Sequence, residues 1–347
     1  MKPYFNLLLL GIFFNPFFAS ASENPMVLES KVIDKTFSVN SNAELRINNK
    51  YGNVNLTTWD KNQIEFHIEI KVDGKNAEKV RERINGITVE FNANSNLVSA
   101  ETIIKSIKNS NNTNITIHYF VKLPKSNSID ITNKYGNISL DALKGSSAIN
   151  LSYGNMNFGK LENPLNTLDL DYVTSAQIDF VKSANVTMDY SKINLGKSEV
   201  INLNADYSDV NISEISDLVA NMDYGNLFIE NGGSVSSVTD YSNVKIGTIH
   251  KSFVYSGSYG SIAINQVKKG FNKISIGADY SDVSIGIDSG AGYTITGNFK
   301  YGGLDFPSHV NMSKQIEKSV VKSYEGKAGN GAAEVLINMN YGSAKIR

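Results

Sequence analysis

Apolar and polar residues alternate along most of this chain, and the alternation changes phase at regular places. Ile129, Ile131 and Tyr135 share one parity, as do Ile201, Leu203, Ala205 and Tyr207, and again Ile274, Ile276, Ala278 and Tyr280. Period-two alternation is the strand signal. After each tyrosine the inward set flips: Tyr207 matches Leu203, but Val210 and Ile212 lie an odd number of residues away. A one-residue slip inside a strand would turn its apolar set outward, so the chain must bend or bulge at the tyrosine. The Gly or Ser that usually follows suits such a corner, Gly because it tolerates positive φ.

These corners recur. Asp189-Tyr190-Ser191-Lys192-Ile193-Asn194-Leu195 returns 17 residues later as Asp206-Tyr207-Ser208-Asp209-Val210-Asn211-Ile212, and twice more at Asp223 and Asp240. The full set is Tyr51, Tyr135, Tyr153, Tyr172, Tyr190, Tyr207, Tyr224, Tyr241, Tyr259, Tyr280, Tyr301 and Tyr341, spaced by 17 to 21 residues from Tyr135 to Tyr301. A fixed period of this kind means stacked units. The unit is too short for a strand-helix-strand crossover, which needs roughly 30 residues. The expected fold is all-β: a parallel β-helix-like solenoid with one coil per repeat, stacked at about 4.8 Å. An antiparallel β-sandwich is the alternative, since short evenly spaced strands also suggest that.

Two stretches leave the repeat. Between Tyr51 and Tyr135 the pattern predicts strands at Gln63–Val72 and Ile115–Leu123, a helix over Asn76–Ile84, and a hairpin of Ile87–Phe91 with Leu97–Ile104. Residues 22–128 are read as an N-terminal β-rich cap with one early repeat copy, closing one end of the rod. Residues 129–347 are read as the repeat domain, with an excursion at 306–334 and an exposed flexible turn over Gly326–Gly331. Ahead of them, Lys2, the apolar run Leu7–Phe18 and Ala19-Ser20-Ala21 match a secretory signal peptide over residues 1–21.

Composition narrows the function classes. Net charge is −1 with four arginines, and no basic stripe marks a nucleic-acid binder. There is no cysteine, hence no lipidated cysteine and no disulfide; about 325 residues remain after leader removal, enough to bury a core unaided. No later apolar run approaches a membrane span, so no transmembrane segment is expected after signal cleavage.

Several stretches together resemble one family: "TTWDKNQIEFHIEI" within Val54–Val72, "VKLPKSNSIDITNKYGNISLDALKG" at Val121–Gly145, and the closing "GNGAAEVLINMNYGSAKIR". They are similar to the putative adhesin family of bacterial envelope proteins, the DUF4097-type β-repeat domains common in Bacteroidetes. The resemblance covers most of the chain after the leader. It implies a β-solenoid-like fold and export, and it brings no defined ligand or catalytic residues. The regular Tyr-Gly/Ser copies depart from relatives that more often carry a small polar residue before the glycine.

Candidate sites follow from the repeat. Asp171, Asp189, Asp206, Asp223 and Asp240 precede successive tyrosines and are expected about 5 Å apart on the face opposite them, where like charges repel. Solvated carboxylates are the plain reading and bound Ca²⁺ the alternative, with Asp209 and Asp282 as added ligands; no other cofactor or metal is expected. The tyrosines share parity with the core, so they should point inward or pack at the corner, stacked on one another; pointing outward they would offer a sugar platform. Asn53, Asn137, Asn155, Asn226 and Asn243 read as an internal amide ladder or as turn formers. Trp59 is either cap packing or a binding hot spot. The histidines show no metal spacing, though His67 and His118 lie in strands that could become neighbours, and no catalytic motif is visible.

The expected function is therefore a non-enzymatic, adhesin-like envelope protein of the periplasm or cell surface, binding a glycan, surface polymer or protein along its side. The alternatives are a polysaccharide-acting β-helix enzyme and a periplasmic structural or signalling accessory.

Overall fold

The computed structural model describes residues 26–106 and 112–347; the expected leader lies outside the described residues. In the middle of the chain each repeat is one unbroken strand: Ser175–Asp189, Lys192–Asp206, Asp209–Asp223, Asn226–Asp240 and Asn243–Ser258. Consecutive strands pair in parallel along their length, so that Leu195 lies beside Ile212, Ile212 beside Ile229 and Ile229 beside Ile246. Like residues therefore stack in columns, and the apolar columns form the core.

The burial pattern shows how one strand closes a coil. In Asp209–Asp223 the inward residues are Val210 and Ile212, then Ile215 alone, then Leu218, Ala220 and Met222. The three-residue steps on either side of Ile215 are two bends, and the tyrosine corner is the third. Each coil thus has two longer sides, one after and one before the tyrosine, joined by a short side. Period-two alternation within a side and a phase change at each bend are what the sequence requires.

Toward the N-terminus the two sides continue as separate strands. The side after the tyrosine runs through Val54–Trp59 to the parallel strand Thr113–Pro124, then to antiparallel Gln63–Gly74 and Val27–Ser38. The side before it runs through Glu44–Lys50 to parallel Leu97–Ile104 and antiparallel Ile87–Ala93. The helix Ala77–Asn85 starts at Asn76, whose side chain accepts from the Lys79 N–H, and buries Val80 and Ile84; these match the expected helix and hairpin.

At the other end Tyr293–Lys300 is followed by the antiparallel hairpin Asn311–Lys318 and Val321–Ala328. The chain then turns back, and Ala333–Asn340 inserts between Lys273–Asp279 and Tyr293–Lys300, parallel to both. The last repeat in sequence is the second to last in space. Antiparallel pairing is confined to the two ends, which sets aside the sandwich. The turn expected over Gly326–Gly331 is shorter than predicted: Val321–Ala328 is strand, Ala328 is buried, and only Gly329–Gly331 turns, with Gly329 and Gly331 at positive φ.

Candidate functional site: the tyrosine column

All twelve repeat tyrosines have positive φ, between 48° and 66°. The sequence points to the following Gly for that role, and the structure corrects this. A left-handed residue reverses the chain direction without taking an inward place, so Met222 before the corner and Leu227 after it both face the core. The same conformation swings the tyrosine Cβ outward. The expectation of inward tyrosines is overturned: from Tyr135 to Tyr341 they are 43–52% exposed. The parity argument fails because it assumes extended backbone at the tyrosine.

The Gly or Ser after the tyrosine answers a different need. A Cβ on Gly136, Gly154, Gly225 or Gly260 would fall on the carbonyl oxygen of the adjacent coil. Where Ser stands instead, its side chain is buried and its hydroxyl knits the corner. Ser208 Oγ donates to the Asp206 carbonyl (2.7 Å) and accepts from the Ser191 N–H (3.0 Å); Ser242 Oγ likewise serves the Asp240 carbonyl and the Gly225 N–H.

The rings form one stack, as expected. Centroids are 4.6–5.4 Å apart, and from Tyr153 through Tyr280 to Tyr341 neighbouring planes agree within 5°. Tyr341 sits between Tyr280 and Tyr301. A non-glycine residue in the left-handed region costs roughly 1–2 kcal/mol, and each aromatic pair returns about 0.5–1.5 kcal/mol, so the stack offsets much of the strain that places it. Lysines sit near both ends: Lys50 Nζ is 4.8 Å from the Tyr51 ring, Lys134 5.5 Å from Tyr135 and Lys300 5.7 Å from Tyr301.

Stacking decides what the column can offer. Inside the stack both faces of each ring are covered by neighbours, which removes the face-on sugar platform. What reaches solvent is the ring edge and its hydroxyl, repeated at the coil spacing. Partial desolvation and adjacent Tyr and Asp groups push the Tyr224 and Tyr280 phenols up; both stay protonated near neutral pH and can donate.

Asp171, Asp189, Asp206, Asp223 and Asp240 pair in register as one row beside the rings. The row is on the outside with the tyrosines, not on an opposite face. Among the described residues none of the five takes part in an ion pair. Burial, with Asp171 and Asp189 nearby, pushes the Asp169 carboxyl up. No group of three or more His, Asp or Glu side chains converges on one cation position among the described residues. Asp209 instead accepts from Asn226 Nδ2 at 2.8 Å, and Asp282 from the Ser343 N–H at 3.4 Å.

The asparagines two residues after the tyrosine do form a ladder, on the surface and not inside. Asn243 Nδ2 donates to Asn226 Oδ1 at 3.2 Å, while Asn53 and Asn137 each accept the N–H of the next asparagine in the row. The buried amide pair is Asn49 with Asn133, two residues before their tyrosines, at 3.1 Å. Trp59 ends its strand half-buried, its Nε1 donating to the Gln63 carbonyl at 2.8 Å and Lys61 Nζ 4.7 Å from its ring.

His67, across the strand pair, and His118, two residues earlier on the same strand, both come near Phe120, with ring centroids 6.0 and 6.3 Å from it. Sequence reading passed over Phe120. Its signal was present: Ile115, Ile117, Tyr119, Val121 and Leu123 hold the inward parity, so the phenylalanine among them must face out.

No family model matches the sequence, and no curated protein does. Solved structures similar to it include a putative adhesin from Parabacteroides merdae, at 9% identity over 91% of this chain and 96% of that one, with a TM-score of 0.31. A putative cell adhesion protein from Clostridium sporogenes matches at 11% identity over 92% and 99% of the two chains, TM-score 0.17. A putative lipid binding protein from Parabacteroides distasonis matches at 13% identity over 71% and 93%, TM-score 0.31. The adhesin resemblance read from the sequence has its counterparts among these structures, at identities and TM-scores too low to hand over a ligand.

Proposed function

We propose that this is an exported, non-enzymatic, adhesin-like envelope protein whose tyrosine column binds an extended partner along the side of the rod. The partner is a glycan, a surface polymer or a protein, and the rod works in the periplasm or at the cell surface. One observation carries the reading: the chain holds tyrosine in a strained conformation at every corner, and the strain turns the ring outward. A glycine would make the same turn without the strain, so core packing does not require the ring. Hydroxyls at a fixed repeat, flanked in the middle of the column by the Asp171–Asp240 carboxylate row and by asparagines such as Asn226 and Asn243, suit a partner that is itself linear. Repeat stacks characteristically bind through such extended surfaces.

Replacing Tyr207, Tyr224 and Tyr241 together by Phe keeps the stack and removes three hydroxyls. The purified triple variant should co-sediment with envelope polymers of the producing cell less than the parent does. Equal sedimentation would remove the column from the binding surface. Protease added to intact cells, with lysed cells as control, tests location: protection on intact cells would sink the surface reading and leave the periplasm.

A further inference from the structure

Inside the column the rings have no free faces, and lysines sit by the two end rings, Tyr51 and Tyr301; an exposed aromatic ring outside the column has no ring stacked on it. Phe120 lies on the outer surface of the strand Thr113–Pro124 and is 42% exposed, while its neighbours Tyr119 and Val121 are buried. It pairs across the sheet with His67 on one side and Asn55 on the other. His67 pairs in turn with Asp34, and Asn55 with Ser139. Asp34, His67, Phe120, Asn55 and Ser139 thus form one outward row, running across five strands.

All of the row but Ser139 lines a hollow of about 460 Å³, walled also by Glu65 and Lys122. His67 and His118 meet Phe120 at 43° and 60° between ring planes, so neither is stacked parallel on it. Both histidines are fixed by hydrogen bonds: His67 Nδ1 to Asp34 Oδ1 at 2.7 Å, and His118 Nδ1 accepting the Asn53 N–H at 3.0 Å. That bond leaves His118 with its proton on Nε2. Asn55 Oδ1 accepts from Ser139 Oγ at 2.9 Å, and its amide nitrogen has no hydrogen bond among the described residues.

An open aromatic face ringed by amide, carboxylate and ammonium groups matches the two-sided chemistry of a sugar ring, which has C–H groups on its faces and hydroxyls around its rim. The charges in the wall are nearly balanced: Asp34 and Glu65 against Lys35 and Lys122, with His67 pushed up by its hydrogen bond to Asp34 and by Glu69. Balanced walls favour a neutral ligand over an anionic or cationic one. The volume is within the usual range for small-molecule sites, about 300–1,000 Å³, and its charged wall is a poor match for an acyl chain.

We propose that this hollow is a binding site for a neutral pyranose unit of a glycan, with Phe120 as the platform and Asn55, Asp34 and Lys122 as hydroxyl partners. The site is separate from the tyrosine column, and either stands without the other.

Saturation-transfer NMR with cellotetraose, maltotetraose and triacetylchitotriose tests it on the purified protein. At least one of the three should receive saturation, strongest at the C–H protons of one ring. Phe120→Ala should weaken that binding about tenfold or more, Asn55→Ala should weaken it less, and Phe120→Tyr should retain it. The Tyr207, Tyr224 and Tyr241 to Phe variant should bind the sugar as the parent does. Transfer to none of the three, or undiminished transfer in both alanine variants, overturns the proposal.

Discussion

The middle of the rod and its ends are made of the same strands but treat their side chains differently. Between Ser175 and Ser258 every position meets its own equivalent one coil away. Tyr stacks on Tyr, Asn202 donates to Asn185 and Asn221 to Asn204, and corner serines bond the backbone of the adjoining coil. Toward the ends the repeat lapses, antiparallel pairs join the parallel ones, and residues face partners of another type: Phe120 beside His67 and Asn55, Arg46 against Asp130. Periodicity uses up chemical groups on one another. Inside the periodic middle the one exposed phenylalanine, Phe228, has Lys245 6.0 Å from its ring, whereas Phe120 at the end sits among amide, carboxylate and imidazole groups.

The largest test of that contrast lies at a central corner. Gly225→Ala puts a methyl onto the Ser208 carbonyl and should lower stability by about 2–3 kcal/mol in urea titration. Gly225→Ser should cost clearly less, because Ser208 and Ser242 show how the hydroxyl completes such a corner. Equal effects would mean the hydroxyl contributes nothing.

Next come the rings. Tyr224 has a neighbour on each face, at 4.9 and 4.8 Å, whereas Tyr301 has one at 4.6 Å. Tyr224→Ala should cost about 1–3 kcal/mol and Tyr301→Ala about half of that. Tyr224→Gly should be milder than Tyr224→Ala by about 1 kcal/mol, since Gly accepts the positive φ. If Gly is the worse of the two, the positive φ carries no strain for the stack to offset.

The smallest effects are electrostatic and should differ in sign between the regions. Asp206→Asn relieves repulsion within a central row and should stabilise by about 0.2–1 kcal/mol. Asp130→Asn loses the 3.1 Å contact with exposed Arg46 and should destabilise by no more than about 1 kcal/mol. Both should fade near 1 M salt, where the screening length is about 3 Å. Thermal melts at two salt concentrations read both.

Much of the fold was legible because alternation and period report directly on backbone geometry. The coil length, the corners and the end helix all followed from the order of residues such as Ile201, Leu203 and Ala205. The direction of the tyrosines did not, because parity carries a side chain to the right face only through extended backbone, and one left-handed residue cancels it. Nor did spacing show that Tyr341 lies between Tyr280 and Tyr301, since parallel strands far apart in sequence leave no local mark of who their neighbours are. Phe120 was legible as an outward residue, because Tyr119 and Val121 hold the inward parity of its strand, but a single residue outside the repeat has no periodic copy to mark it.

The displaced last repeat also sets an order of assembly. Until residues 333–346 arrive, the strands Lys273–Asp279 and Tyr293–Lys300 have no common partner, and the ring column lacks the tyrosine that joins Tyr280 to Tyr301. The strand Ala333–Asn340 is thus a keystone. A chain emerging from its N-terminus can stack coil on coil as it appears, but the far end locks only when the final strand drops into its slot.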